Sequence, residues 1–473
     1  MINIFLAKQF KHEFHYSPTE EQLAAFGKLA DFILSKETDT LFLLTGYAGT
    51  GKTSLISAVV RTLQELGQKT ILLAPTGRAA KVFSNYSEGQ KAYTIHKKIY
   101  RQKAFSGEPT GFLPADNLHK DTLFIVDEAS MISNDGNDSI IFGSGRLLDD
   151  LVHYVYSGEN CRLLLIGDNA QLPPVMQPYS PALDTEMLKG YGLNIETASL
   201  TQVVRQAEDS GILYNATLLR NALRSNDVEI FPKLHLKGFS DIRKVSGEYL
   251  IEELSSAYGR DGIEETIVIT RSNKRATIYN NGIRNRILYR EEELSAGDRI
   301  MVAKNNYFWT EGNNETDFIA NGEMMEIRRV RRNNDLYGFH FADVIVRFQD
   351  YDTEMELKLI KDSLQSETPA LSKAENERLF YTILEDYQEI PTKAGKYKKM
   401  KADPYFNALQ VKFAYAITCH KAQGGQWKNV FLDIGYITED MLGEDFYRWL
   451  YTAITRATGT LYLVNLPAPF ENG

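Results

Sequence analysis

The stretch "TLFLLTGYAGTGKTSLISAVVRTLQEL", residues Thr40–Leu66, decides the fold class of this chain. It begins with an apolar run typical of a buried strand, passes through a glycine-rich loop and continues with helical periodicity. The loop, Gly46–Thr53, has glycine at its first and sixth positions, followed by lysine and threonine. Between a strand and a helix, such a loop binds phosphate at the helix N-terminus. We therefore predict a P-loop and, with it, an α/β fold.

The P-loop predicts one half of an ATP site. Its backbone N–H groups can surround the phosphates, Lys52 can reach the β and γ phosphates, and Thr53 can hold Mg²⁺. We predict ATP and Mg²⁺ as the cofactors. The predicted loop contacts are Gly46, Tyr47, Ala48, Gly49, Thr50, Gly51, Lys52 and Thr53.

The same pattern of an apolar run followed by a helix recurs along the chain. Continuous apolar runs are typical of parallel strands that are buried on both faces and carry functional groups at their carboxyl ends. We therefore predict two doubly wound α/β domains. The first set recurs at Lys69–Phe83, Asp121–Met131 and Cys161–Val175, and the second comprises Glu265–Arg284, Phe413–Ile417, Val430–Ile434 and Thr460–Val464.

The pattern changes over residues 296–404, where segments alternate apolar and polar residues between turns. This alternation predicts a small antiparallel β unit, followed by a charged, mainly helical arm at Lys361–Lys401. The predicted layout is a leader (1–17), a first α/β domain (18–200), a second α/β domain in two pieces (201–295 and 405–473) and the inserted β module (296–404).

Composition limits the class of protein. The chain has 473 residues, enough for two to four domains, and 43% of them are hydrophobic. Its net charge of −9 predicts that any nucleic-acid surface is local. Two cysteines, Cys161 and Cys419, exclude a disulfide framework and fit a reducing cytoplasm. We expect neither a signal peptide nor a membrane span.

Five further residues predict hydrolysis of the nucleotide. Asp127 and Glu128 end the predicted strand Leu123–Val126, where one carboxylate can hold Mg²⁺ and the other can activate water. Gln171 follows the next strand and can sense the γ-phosphate. Arg205 and Arg456 lie far along the chain and can supply positive charge when the domains close.

Six motifs occur in one order: "GYAGTGKT", "IVDEASM", "GDNAQLPPV", "VVRQ", "TCHKAQGG" and "YTAITRAT". Together they resemble the superfamily-1 DNA helicases of the RecD, Dda and Pif group, with a layout like that of Dda-like helicases. The resemblance implies two RecA-like domains that clamp ATP and move 5′ to 3′ along single-stranded DNA. It also implies that Arg205 and Arg456 are arginine fingers, that Gln22 lies beside the adenine, and that Thr76, Thr94 and His96 contact the strand.

The segment "TCHKAQGGQWKNV", residues 418–430, is implied to touch DNA on one side and the nucleotide cleft on the other. Thr418, His420 and Lys421 can donate to DNA, and Gly424 and Gly425 allow close approach to the ATP site, with Gly425 a predicted nucleotide contact. One position departs from the family pattern. Gln426 stands where many relatives carry an acid near the ribose, which leaves the sugar selectivity of the site open.

A hairpin is predicted at Tyr100–Pro114, inside a pin insertion at about residues 97–120. Phe105 and Phe112 flank its glycine- and proline-containing turn, and it resembles the pin on which such helicases split the duplex. A surface hairpin whose phenylalanines pack locally is the alternative. The five lysines of Thr392–Lys401 predict either a solvated face or a basic arm beside the DNA.

The sequence therefore predicts an ATP-dependent 5′-to-3′ DNA helicase that acts on single-stranded and forked DNA in replication, repair or recombination. We expect a monomer. Two alternatives stay open: a RecD-like motor subunit of a nuclease complex and an RNA helicase of the nonsense-decay type. A nucleotide-gated binding switch without translocation is disfavoured, because Asp127, Glu128 and both arginines are present. The order Thr-Cys-His-Lys-Ala-Gln-Gly at 418–424 favours DNA over RNA.

Overall fold

The computed structural model describes residues 2–87, 89–102, 112–136, 142–204, 209–310, 318–349 and 353–471. The strands of the N-terminal half are β1 (Thr40–Gly46), β2 (Lys69–Ala74), β3 (Ala92–Thr94), β4 (Tyr100–Gln102), β5 (Phe112–Pro114), β6 (Thr122–Val126), β7 (Arg162–Gly167) and β8 (Asn194–Leu200). Its helices are α1 (Ile2–Glu13), α2 (Glu20–Leu34), α3 (Lys52–Glu65), α4 (Gly77–Tyr86), α5 (Ile95–Ile99), α6 (Leu147–Tyr156) and α7 (Thr185–Lys189).

Six of these strands form one parallel sheet in the order β3-β2-β6-β7-β1-β8. The central strands β6 and β7 are buried along their whole length, as their continuous apolar sequences predict. The carboxyl ends of parallel strands share one edge of the sheet. This edge therefore brings the P-loop, Asp127 and Gln171 near one another.

The predicted leader contains a helix that packs on the first sheet's core. Leu6 and Phe10 of α1 and Phe14 are buried, and the rings of Phe10 and Phe14 lie 5.9 and 5.6 Å from that of Phe26 in α2. The leader is thus part of the packed structure rather than an appendage. The burial of three large apolar side chains stabilises this arrangement.

The predicted hairpin is present at its base. Strands β4 and β5 pair antiparallel, with Tyr100 opposite Pro114 and Gln102 opposite Phe112. Residues 103–111, which connect the two strands in sequence and include Phe105, lie outside the described residues.

The remaining strands are β9 (Ile242–Val245), β10 (Thr266–Thr270), β11 (Arg299–Val302), β12 (Met324–Leu336), β13 (Phe339–Phe348), β14 (Glu354–Ile360), β15 (Leu409–Phe413), β16 (Ala416–Thr418), β17 (Trp427–Asp433) and β18 (Ala457–Val464). The helices are α8 (Gly211–Ser225), α9 (Leu250–Asp261), α10 (Asn273–Arg286), α11 (Asp362–Gln365), α12 (Lys373–Glu385), α13 (Lys393–Lys401), α14 (Cys419–Ala422) and α15 (Glu444–Ile454). Short 3₁₀ turns occupy Ala129–Met131, Pro181–Leu183, Glu439–Met441 and Ala468–Phe470.

A second parallel sheet has the order β16-β10-β17-β18-β9, and β11 to β15 form a closed barrel. Antiparallel pairs build most of the barrel, but β14 and β15 pair in parallel. A small β module was therefore predicted correctly.

The final barrel strand, Leu409–Phe413, lies beyond the predicted module boundary at residue 404. Phe413, predicted to begin a strand of the second sheet, instead ends β15, and β16 begins at Ala416. Asn280 of α10 holds the junction by donating to the carbonyl oxygens of Phe413 (3.0 Å) and Ala416 (2.9 Å). The run Val411–Ile417 is almost continuously apolar, so periodicity alone gives no signal for a break.

The charged arm is helical and packs on one end of the barrel. Leu379 and Ile383 of α12 and Met400 of α13 are buried against Phe339 and Phe341 of β13. Within the described part of the chain, no helix is both long and apolar enough to cross a membrane.

Candidate nucleotide and nucleic-acid site

The P-loop joins β1 to α3 in a conformation that requires glycine. Gly49 and Gly51 have φ angles of +75° and +78°, a region that side chains disfavour. The Lys52 ammonium folds over the loop and donates to the carbonyl oxygens of Gly46 (2.6 Å) and Tyr47 (2.9 Å). It lies where a phosphate chain held by the loop would meet it.

Gln22 supports this loop from α2. Its side-chain oxygen accepts from the backbone N–H of Thr19 (2.9 Å) and its amide nitrogen donates to the carbonyl oxygen of Thr50 (2.9 Å). The residue is only 1% exposed. Both ends of the amide are therefore engaged in holding the loop, and the adenine contact stays a prediction.

Asp127 and Glu128 lie at the end of β6, as predicted. Burial, and next the neighbouring Glu128 charge, raise the pKa of Asp127 to about 7. Glu128 has a φ of +52°, and its backbone N–H donates to Asp127 Oδ1 (2.8 Å). A non-glycine residue in this strained conformation is typical of functional sites.

The side-chain oxygen atoms at this edge of the sheet suit a divalent cation. The Asp127 carboxylate and the Thr53 hydroxyl offer the oxygen ligands that Mg²⁺ prefers. A cation bound there would favour the charged form of the Asp127 carboxyl, against the burial that raises its pKa.

Glu128, Gln171 and Arg456 come together beside the P-loop. Arg456 is 3% exposed, and its Nη1 lies 3.7 Å from Glu128 Oε1. In the amide orientation that satisfies both neighbours, Gln171 donates to Glu128 Oε2 (3.3 Å) and accepts from Arg456 Nη2 (3.3 Å). Three residues from distant parts of the sequence thus form one polar cluster between the two sheets.

Contacts of Leu172 join the two sheets next to this cluster. Its backbone N–H donates to Thr452 Oγ1 (2.9 Å) of α15, and its carbonyl oxygen accepts from the side chain of Gln423 (2.8 Å). The segment after β7 is therefore held by the second sheet's elements from both sides.

Arg205 lies outside the described residues. The backbone N–H of the preceding Val204 donates to the Gly49 carbonyl oxygen (3.1 Å). The chain therefore passes directly over the P-loop just before Arg205, whose role stays a prediction.

Asp168 and Tyr451 belong to this site but were not among the predicted residues. Asp168, 1% exposed at the end of β7, accepts from the Tyr451 hydroxyl at 2.7 Å and lies 4.0 Å from the Lys52 ammonium. The Tyr451 oxygen in turn accepts from the backbone N–H of Ala48 (2.8 Å). Asp168 had a signal, because it ends a buried strand as Asp127 does. Tyr451 had none, since buried tyrosines are common in helices.

Three threonines that were predicted to contact DNA lie at or just beyond the carboxyl ends of strands. Thr76 and Thr94 cap α4 and α5, and their hydroxyl oxygens accept from the backbone N–H groups of Ala79 (3.2 Å) and Lys97 (3.2 Å). A capping hydroxyl keeps its own hydrogen for another acceptor such as a phosphate. Thr418 begins α14 and makes no capping hydrogen bond with its side chain.

The other predicted DNA contacts differ in their surroundings. The His96 ring packs edge-on against Phe142, with 5.0 Å between centroids. His420 is exposed, whereas the ammonium of Lys421 donates to Asn321 beside the barrel. Burial lowers the pKa of Lys421 to about 8.

Phe112 was predicted as an edge on which strands separate, but the structure buries its side chain. The residue is 3% exposed, and its ring packs 4.8 Å from Phe142, 5.0 Å from Tyr307 and 5.8 Å from Phe318. The local-packing alternative holds for this residue, because burial in an aromatic cluster removes the ring from water. The cluster joins the base of the hairpin to the segments that precede β12.

The glycines of the "TCHKAQGG" motif approach α4 as well as the cleft. A Cβ atom on Gly424, which has a φ of +72°, would lie 2.8 Å from that of Ala79. The Gly425 carbonyl oxygen accepts from Arg456 Nη1 (3.3 Å). The Gln426 side chain accepts from the Tyr86 hydroxyl (3.2 Å). Gln426 is thus engaged with α4, and the sugar selectivity stays open.

Comparison with known proteins finds similar sequences for both halves of the chain. A family model described as an AAA domain matches residues 19–231, and one described as a UvrD-like helicase C-terminal domain matches residues 413–464. The chain is 25% identical over 453 residues to the ATP-dependent RecD2 DNA helicase of Deinococcus radiodurans, covering 93% of this chain and 48% of that protein. It is 25% identical over 427 residues to the ATP-dependent DNA helicase dda of Enterobacteria phage T4, covering 88% and 92%.

The chain is similar to the superfamily-1 DNA helicases of the RecD, Dda and Pif group. The predicted resemblance is therefore confirmed, and the helicase is an ATP-hydrolysing enzyme. It is also 24% identical over 515 residues to an uncharacterized protein of Acanthamoeba polyphaga mimivirus, covering 94% of the helicase and 98% of that protein. Among solved structures it is similar to a Pif1 helicase from Bacteroides in complex with ADP-AlF3 and ssDNA, with 16% identity and a TM-score of 0.46 over 97% of the helicase and 95% of that chain.

Proposed function

We propose that this helicase moves 5′ to 3′ along single-stranded DNA and separates duplexes ahead of it. The observation that carries the proposal is the cluster of Glu128, Gln171 and Arg456 between the two sheets. An arginine from one sheet that meets the acid of the other is what nucleotide-driven closure needs. The relatives RecD2 and dda, both named as ATP-dependent DNA helicases, support the substrate class.

The chemical roles follow from position. Thr53 and Asp127 would hold Mg²⁺, which supplies charge compensation for the phosphates when bound. Lys52 would leave its two loop carbonyl oxygens to donate to the β and γ phosphates, and Glu128 would orient and deprotonate the attacking water. Arg456, already buried beside Glu128, would stabilise the charge of the transferring phosphoryl group.

The motif at residues 418–425 would couple the nucleotide site to DNA, because it has one end at each. Thr418 begins the motif that is proposed to contact the strand, and Gly425 of the same motif accepts from Arg456. A change at the γ-phosphate that moves Arg456 would therefore move the DNA-contacting end of the motif. Alternate closing and opening of the two sheets, each gripping the strand, would produce steps along it.

The strand would run over the carboxyl ends of β2, β3 and β16. Thr76, Thr94 and Thr418 offer hydroxyl donors there, and Lys421 and His420 lie beside Thr418. Such groups bind the phosphate backbone without reading sequence. The contacts are local, which is consistent with a chain of net charge −9.

We propose the domain division given above, with the module extended to residue 413 to include β15. We further propose that the helicase acts as a monomer on single-stranded and forked DNA, with Mg²⁺. Two alternative functions stay open: a RecD-like motor subunit of a nuclease complex and an RNA helicase of the nonsense-decay type.

ATP turnover with and without nucleic acid tests the proposal. Single-stranded DNA should stimulate turnover strongly, single-stranded RNA should not, and Lys52→Ala should abolish turnover in both cases. Stimulation by RNA alone would favour the RNA helicase. Turnover that no nucleic acid changes would contradict the proposed translocation.

A further inference from the structure

The hydroxyl of Tyr451 connects α15 to the P-loop. The side chain is completely buried, and its hydroxyl donates to Asp168 Oδ2 (2.7 Å) while accepting from the Ala48 N–H (2.8 Å). One phenol thus bridges a backbone amide of the phosphate-binding loop and a buried carboxylate. Neither contact is needed to pack the ring, which lies in the apolar core of the second sheet.

Residues of α8 contact the same part of the P-loop. A Cβ atom on Gly49 would lie 3.0 Å from the side chain of Leu213 in α8. The guanidinium carbon of Arg220, also in α8, lies 4.7 Å from the ring centroid of Tyr47. The start of the P-loop is therefore held between α8 and α15.

The Ala48 N–H is one of the amides with which a P-loop can bind phosphate. While this amide donates to Tyr451, a phosphate oxygen must displace the phenol to accept from it. The Tyr451 hydroxyl and a nucleotide phosphate are therefore rival acceptors for one donor. Tyr451 can still donate to Asp168 after losing Ala48, so displacement does not leave the phenol without a partner.

We propose that Tyr451 is a positioning residue that lowers the affinity of the P-loop for nucleotide and makes binding release α15. This inference rests on the proposed ATP-dependent function. Thr452, next in the helix, bonds to Leu172, and Arg456 follows the helix end. Release of Tyr451 therefore acts on the helix that positions Arg456, and rebinding of the phenol favours departure of ADP.

The test is Tyr451→Phe, which keeps the ring and removes only the hydroxyl. The variant loses the Asp168 bond with or without nucleotide, but loses the Ala48 bond only where no phosphate replaces it. Its affinity for nucleotide should therefore rise. One hydrogen bond predicts roughly two- to tenfold tighter binding of a fluorescent ADP analogue in equilibrium titration. The dissociation rate in stopped-flow displacement should fall by a similar factor.

Tyr447→Phe is the matched control. Tyr447 is one turn earlier in α15 and 1% exposed, but its hydroxyl donates to the Ile230 carbonyl oxygen (2.8 Å), away from the P-loop. Its ADP affinity should equal that of the unchanged helicase. Tyr451→Met, which fills the site without a hydroxyl, serves as a second variant if Tyr451→Phe does not fold.

Unchanged or weaker ADP binding in the folded Tyr451 variant would overturn the inference, and so would equal tightening in Tyr447→Phe. A merely structural role predicts weaker binding, because a disturbed loop holds phosphate less well. If the unchanged helicase binds neither ADP nor ATP, the proposed function fails instead. The two failures are thus distinguished by the protein in which they occur.

Discussion

Replacing Glu128 by glutamine separates binding of ATP from its hydrolysis. The amide cannot accept a proton from water, so a general base would be lost while Lys52, Thr53 and Asp127 keep their contacts. General-base catalysis contributes typically about 10²- to 10⁴-fold to rate. We expect the DNA-stimulated turnover of Glu128→Gln to fall by about that factor, with nucleotide affinity within a few-fold of normal.

The same substitution has a cost in stability that the structure also sets. Arg456 is 3% exposed and would lose its carboxylate neighbour at 3.7 Å. Removing one partner of a fully buried pair costs about 3–5 kcal/mol. Because the Glu128 side chain is 21% exposed and the contact is long, we expect about 1–2 kcal/mol. A small decrease in Tm should accompany the loss of turnover.

The assay measures single-turnover hydrolysis and equilibrium nucleotide binding for the unchanged helicase and for Glu128→Gln. Glu159→Gln is the control, since Glu159 is a largely exposed residue that pairs with Lys120 on the surface. It should change neither quantity. Turnover of Glu128→Gln within about tenfold of normal would refute Glu128 as the base, and loss of nucleotide binding would assign it a structural role.

Two further perturbations test residues that were predicted to contact DNA. Phe112→Ala should destabilise the fold by about 3–5 kcal/mol, because it leaves a cavity in the aromatic cluster, and Phe112→Leu should destabilise it less. Thermal unfolding measures both variants, and an unchanged Tm would contradict the burial of Phe112. Lys421, whose pKa is lowered to about 8, carries its charge below that pH and loses it above, so affinity for single-stranded DNA should fall as pH rises from 7 to 9. Lys421→Arg, charged throughout, should reduce this dependence in fluorescence anisotropy titrations, and equal pH profiles would exclude Lys421 as the titrating contact.

The positions of the P-loop, Asp127 and Gln171 at one edge of the sheet could be predicted from the sequence because the signals are local. The P-loop and Asp127 directly follow apolar strands, Gln171 comes shortly after another, and parallel strands bring such positions to one edge. The pairing of Arg456 with Glu128 was harder, since nothing local specifies it. The resemblance to the family supplied only the expectation that Arg456 is an arginine finger, and the structure brings it within 3.7 Å of Glu128.

Other features could not be predicted because tertiary contacts decide them. Phe112 flanks a predicted turn, and only the packing of Phe142, Tyr307 and Phe318 shows that its ring is buried. Tyr451 is one apolar position of a helix until the fold places its hydroxyl against Ala48. The boundary at Phe413 was missed for a similar reason. A continuous apolar run does not distinguish a strand of the barrel from a strand of the parallel sheet.

Unwinding of tailed duplexes tests the central claim most directly. The substrates are one DNA duplex carrying a single-stranded tail at either its 5′ or its 3′ end, labelled so that strand separation changes fluorescence. With ATP and Mg²⁺, the account predicts separation of the 5′-tailed duplex, little separation of the 3′-tailed duplex, and none with Lys52→Ala. Separation from the 3′ tail alone would contradict the proposed direction, and separation of neither duplex despite DNA-stimulated ATP turnover would contradict the proposed strand separation by this chain.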